Sequence, residues 1–176
     1  MPWHRSLLAT VTIFLVLLAA SNHPLAQTDK TTCGPDHAIL YKRAVNLVDQ
    51  AEKKLRAKYT AEAKALLKEA NSLFSILVKE CGPQQRQRLL TEQEAQQEAI
   101  NKKLAEDAMA QAERLMASAA AKEKKSDELE RQGNKDLSIS YQRQAKGEYE
   151  LAHTKSIQAQ IYALRNQQLI FRFLSR

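Results

Sequence analysis

Cysteine occurs twice in this chain, and each time the next two residues are Gly-Pro: Cys33-Gly34-Pro35 and Cys81-Gly82-Pro83. The stretch between them has apolar residues at helical spacing and a single break near Lys58-Tyr59. Two rods of similar length joined by a tight turn run antiparallel, so their far ends meet. At ~1.5 Å per residue, predicted rods of about 22 and 21 residues are each roughly 33 Å long. Cys33 and Cys81 are thus expected side by side at the open end of a helical hairpin. With no other cysteine to compete and a leader that directs export, they are expected to form a disulfide in an oxidising compartment. Closing a loop of about 48 residues is worth at most ~4 kcal/mol by chain entropy.

The N-terminal residues 1–26 read as a signal peptide. Arg5 gives a positive start, Leu7 to Ala20 is uncharged and apolar, and small residues allow cleavage after Ala20, Ser21 or Ala26. The apolar run of about 14 residues is shorter than the ~20 of a comfortable bilayer span, so cleavage is favoured over anchoring. The short apolar core, the single Arg5 and the Ala26-Gln27 end of the leader point to a bacterial periplasm, or to secretion if the cell has no outer membrane. The whole chain carries a formal charge of +7. Losing Arg5 with the leader leaves it modestly basic, with Lys and Arg interleaved with Glu. An interleaved pattern in an exported chain argues against nucleic acid as a partner. At most it implies weak contact with an anionic membrane surface, and ordinary solvated helix faces are the simpler account of it.

Beyond residue 36 the good helix formers dominate and no alternating β-branched stretch occurs. The first helix should begin near Asp36 behind Pro35, with a stripe of Leu40, Ala44, Leu47, Val48, Ala51 and Leu55. Thr60 is expected to cap the second, whose stripe runs from Ala63 through Leu67, Ala70, Phe74 and Val78 to Cys81. Gly82 and Pro83 should end it. Thr91 with Glu94 forms a capping box that opens a long helix reaching about Arg131, with Ile100, Leu104, Ala108, Ala112, Leu115 and Ala119 inward. Gln132-Gly133-Asn134 breaks it, and a last helix follows from about Asp136, with Leu137, Tyr141, Ala145, Tyr149 and Ala152 inward. The apolar seam is not a strict heptad, and its alanines bury little area.

The expected fold is therefore all-α: two antiparallel helical hairpins, the first short and disulfide-stapled (33–83), the second long and coiled-coil-like (84–176). Leu169, Phe171, Phe173 and Leu174 make the C-terminus apolar on nearly every face. They form either a joint between the hairpins or an exposed patch for a partner.

No catalytic constellation is legible. After processing, His37 and His153 remain, the first expected in solvent at a helix start. Glu150 and His153 have the i, i+3 spacing of di-iron bundles, but no second such pair accompanies them, so no metal site is expected. There is no Cys-x-x-Cys and no Gly-rich phosphate loop, and neither a cofactor nor an enzymatic activity is expected.

Lys58-Tyr59-Thr60-Ala61-Glu62-Ala63, continuing through Leu67 to Ala70, resembles the second helix of a tetratricopeptide repeat. Gln132-Gly133-Asn134 with Tyr141 and Ala145 echoes that pattern out of register. The resemblance covers a minority of the chain and implies a helix-hairpin interaction module. In size, export and charge the chain is also similar to small basic periplasmic chaperones. The expectation is an exported non-enzymatic scaffold or adaptor that binds a protein partner or a second copy, with a holdase-type chaperone as the alternative.

Overall fold

A computed structural model describes residues 33–86 and 88–175. The leader expected at 1–26 lies outside them. Four helices and a closing 3₁₀ turn make up the described residues, with no strand among them: α1 (Pro35–Arg56), α2 (Thr60–Arg86), α3 (Glu92–Arg131), α4 (Lys135–Ile170) and the turn Arg172–Ser175.

The first hairpin forms as its sequence dictates. Pro35 supplies a fixed φ in the first turn of α1, Asp36 faces the positive end of the dipole, and Lys53, Lys54 and Arg56 face the negative end. The chain reverses through a Schellman motif in which the Tyr59 N–H bonds to the Lys54 carbonyl (2.9 Å) and the Lys58 N–H to that of Leu55 (3.0 Å). Lys58 takes the left-handed position, with φ 64°. Ala44, Val48 and Ala51 of α1 interleave with Ala63, Leu67, Ala70, Phe74 and Leu77 of α2, all fully or almost fully buried. The Tyr41 and Phe74 rings meet edge-on at 6.5 Å. At the open end Cys33 and Cys81 form a disulfide, with Cα atoms 5.6 Å apart.

Two expectations for α2 need correction. Thr60 is its first helical residue rather than its cap, and the helix continues through Gly82 and Pro83 to Arg86. Pro83 deprives only the Lys79 carbonyl of an intrahelical donor, and Lys79 lies on the exposed face, where water can serve it. The first hairpin thus extends three residues past Pro83, and Val78 faces outward.

Arg88 joins the two hairpins. Its guanidinium donates to the Ile170 carbonyl at 3.2 Å and lies 3.5 Å from that of Leu169, at the negative end of α4. It also pairs with Glu94 in the first turn of α3. Glu94 completes the capping box by accepting the Thr91 N–H (3.0 Å), while Thr91 Oγ1 accepts the Glu94 N–H (3.3 Å).

The seam between α3 and α4 is a strict heptad, which corrects the sequence reading. Its positions alternate by three and four along both helices, and small or polar residues fill most of them. Ala105, Ala112 and Ala119 recur every seven residues in α3, as do Ala145, Ala152 and Ala159 in α4. Alanine at every seventh position lets the two backbones approach closely. Toward the turn, Ser126 Oγ bonds to both the hydroxyl (2.8 Å) and the carbonyl (2.9 Å) of Ser138. Lys122 pairs with Glu148 across the seam. Near the base, the Asn166 amide donates to the Glu98 carbonyl at 3.3 Å. Ile100, Leu104 and Leu137, expected inward, point to solvent because they fall off this heptad.

The two hairpins share α4. Its last third turns one face to α3 and the opposite face to α1 and α2, contributing Ile157, Ile161 and Leu164 to the core of the first hairpin. Burying such a side chain is worth about 1.5–3 kcal/mol, so this three-helix base is where most apolar stabilisation resides.

Candidate interaction surface

The C-terminal segment closes the base. Phe171 and Leu174 are buried in the core with α1 and α2, and Ile170 and Phe173 pack against it partly buried. Leu169 is half-buried beside a groove between α1 and α3. Four residues with one apolar signature thus divide between a joint and its rim.

Polar contacts surround that joint. The Tyr41 hydroxyl donates to the Gln168 carbonyl at 3.0 Å, and burial raises its pKa above the usual tyrosine value. Arg165 reaches from α4 to α1, 2.8 Å from Asp49 and 2.7 Å from Glu52. Its hydrogen bond holds the Glu52 carboxyl below the usual carboxylate range. The open groove beside it encloses about 610 Å³ between α1 and α3, with α4 as its floor. Tyr41, Asn101, Tyr162, Arg165 and Gln168 are among its walls. Asp49, Glu52 and Gln168 already engage Arg165 there. The cleft mixes apolar and polar walls, and its central cation is neutralised from within.

The distal half of the long hairpin has a different character. The α4 residues in the shared core begin at Ile157. The register that pairs Ser126 with Ser138 and Asn166 with Glu98 sets Ala112 opposite Ala152. From there to the Gly133 turn, each helix has only the other as a described neighbour for about 20 residues, roughly 30 Å. This arm carries charges of both signs along its length. Met116, Ile139 and Leu151 stand singly among them, each about half exposed. Glu150 and His153 lie on its open surface.

A separate cluster closes the base. His37, expected in solvent, is only 15% exposed at its side chain. Its Nδ1 accepts the Gly34 N–H at 3.1 Å, so the proton resides on Nε2, which donates to Glu80 at 2.8 Å. His37, Cys33 and Cys81 bring one donor atom each within 4.8 Å of one another. The motif Cys-Gly-Pro-x-His placed His37 one turn into α1 from Cys33, but no local pattern indicated that Glu80, preceding Cys81, would hold its ring.

No protein-family model matches this chain, and no curated protein or solved structure is similar enough to match it. Among the described residues no helix is long and apolar enough to cross a membrane. The disulfide is consistent with an oxidising compartment.

Proposed function

We propose that the protein is an exported, non-enzymatic helical scaffold or adaptor of the cell envelope, periplasmic where an outer membrane is present. The tetratricopeptide-like helix pairing of the sequence supports an interaction role of this kind. The observation that carries the reading is the division of labour between base and arm. Nearly all large apolar burial lies in a cross-linked base, while the arm holds together through alanine, serine, the buried Leu129, the Lys122–Glu148 ion pair and the Tyr149–Glu123 hydrogen bond. An arm so built has wide flanks open to a protein partner or a second copy, and its base fixes its direction. Its charges alternate in sign, which favours a folded protein surface over nucleic acid or a strongly anionic membrane.

Photo-crosslinking in cells tests this reading. A photoreactive residue at Met116 or Leu151 should yield discrete protein adducts, whereas one at Lys64 or Lys68 on the exposed face of α2 should not. Equal or absent adducts at all four positions would refute it.

The half-exposed Met109, Met116, Ile139 and Leu151 support a holdase-type chaperone as a second reading. Suppression of aggregation of an unfolded client at low molar excess would favour it over a dedicated adaptor.

A further inference from the structure

We propose that the staple is also a latent metal site: once reduced, Cys33 and Cys81 together with His37 bind a zinc ion that closes the same end of the hairpin. The donor set is a thiolate pair and an imidazole, the borderline-soft combination that zinc takes with one position left for water. The three donor atoms already lie within 4.8 Å of one another. Zinc–sulfur bonds of ~2.3 Å and zinc–nitrogen bonds of ~2.0–2.1 Å put ligand atoms roughly 3.5–3.8 Å apart in a tetrahedron, so modest side-chain motion suffices once the sulfurs separate.

Two further features fit this chemistry. His37 is already in the tautomer a metal needs at Nδ1, because that nitrogen accepts the Gly34 N–H and Nε2–H donates to Glu80. A carboxylate on the far nitrogen of a ligating histidine fixes the ring and raises its basicity. Glu80 is a positioning residue here, acting through His37. Cys33 immediately precedes the N-terminal end of α1, where the helix dipole favours a thiolate. Cys81 is fully buried and Cys33 only partly, so an ion approaches from the Cys33 side.

The exchange balances. A dithiol reductant delivers two electrons and two protons to the Cys33–Cys81 bond and itself becomes a disulfide. The two thiols then release their protons as zinc binds, and zinc replaces the Gly34 N–H at His37 Nδ1. In the reverse direction, a disulfide-bonded oxidant takes two electrons from the thiolates and becomes a dithiol by taking up two protons. The sulfur–sulfur bond re-forms and zinc leaves unchanged. Cys33 and Cys81, 48 residues apart, would be bridged in both redox states.

The test uses the mature full-length chain, reduced under anaerobic conditions with a phosphine that is then removed. It is titrated with Zn²⁺ and, as an optical probe, with Co²⁺. One equivalent should bind with a thiolate-to-cobalt charge-transfer band, and the disulfide-bonded chain should bind none. Cys33→Ser should weaken binding at least about 100-fold, and His37→Gln at least about tenfold. Glu80→Gln should weaken it about tenfold while keeping the charge-transfer band, a split that general unfolding would not produce. Circular dichroism follows each titration, and if reduction alone lowers helicity, zinc must restore it. Absence of stoichiometric binding by the reduced chain, equal binding by the disulfide-bonded chain, or affinity unchanged in His37→Gln would each overturn the proposal.

Discussion

Lys58 and Gly133 occupy the same left-handed position in two copies of one helix-ending motif. After α1 the Tyr59 N–H bonds back to Lys54 and the Lys58 N–H to Leu55; after α3 the Asn134 N–H bonds back to Leu129 and the Gly133 N–H to Glu130. Their φ angles are 64° and 82°. A side chain at this position costs roughly 1 kcal/mol in backbone strain, which glycine avoids. No atom lies within 4 Å of a Cβ built on Gly133, so the backbone alone sets the cost there. Lys58→Gly should stabilise the protein by about 0.5–1 kcal/mol and Gly133→Ala should destabilise the arm by about the same amount. Urea denaturation measures the first, and hydrogen exchange near the arm turn the second.

Phe171 is buried among α1, α2 and α4, while Phe173 is only partly covered. Phe171→Ala should therefore cost about 3–5 kcal/mol, and Phe173→Ala roughly 1–2 kcal/mol. The first substitution should also separate the unfolding of the two hairpins, read as transitions that differ between near-ultraviolet and far-ultraviolet dichroism.

The staple acts on the unfolded chain and on fraying at the hairpin mouth. Replacing Cys33 and Cys81 together by alanine should lower stability by roughly 2–4 kcal/mol. Hydrogen exchange should rise most in the first turns of α1 and the last turns of α2, with the arm unchanged.

Acid should weaken the contact between α1 and α4. The Arg165 hydrogen bond lowers the pKa of Glu52 from its usual 4.5. Below 4.5 the unfolded chain takes up a proton at this carboxyl before the folded chain does. The stabilisation is thus present above that pH and is lost as pH falls through the lower folded value. Glu52→Gln should flatten this part of the acid limb in a pH series of urea midpoints, leaving the neutral plateau nearly level because the pair is partly exposed.

The alanine seam should resist enlargement. Ala119 is fully buried between α3 and α4, and Ala119→Leu should destabilise the arm by about 1–3 kcal/mol by forcing the backbones apart. Fast exchange spreading along both distal helices would report it.

What the sequence disclosed follows from what its residues do locally. Cys33, Pro35 and Cys81 announced the stapled hairpin, and Thr91, Glu94 and Gly133 marked the ends of the long helix through capping and turn chemistry. The seam's alanines, Ala108, Ala112, Ala119, Ala145 and Ala152, were legible as inward, but its polar positions were not, because hydrophobic periodicity cannot weigh a Ser126–Ser138 bond or a Lys122–Glu148 pair. Those polar residues are satisfied only by the opposite helix, so they read as solvent-facing while Ile100, Leu104 and Leu137 read as inward. The passage of α2 through Pro83 was hidden for a related reason: a local stop signal yields when an exposed turn and a disulfide at Cys81 support the helix. Glu80 and His37 lie 43 residues apart, and only the closed hairpin makes them partners.

Shortening the arm tests the division between base and arm most directly. Deleting 112–125 and 139–152 removes two heptads from each helix, keeps the register, and leaves Ser126, Ser138 and the Gly133 turn intact. Partner capture from cells by the full-length and short-armed chains is then compared, with the urea transition of the base measured in both. Loss of capture with the base transition unchanged is the expected result; undiminished capture by the short-armed chain would contradict it.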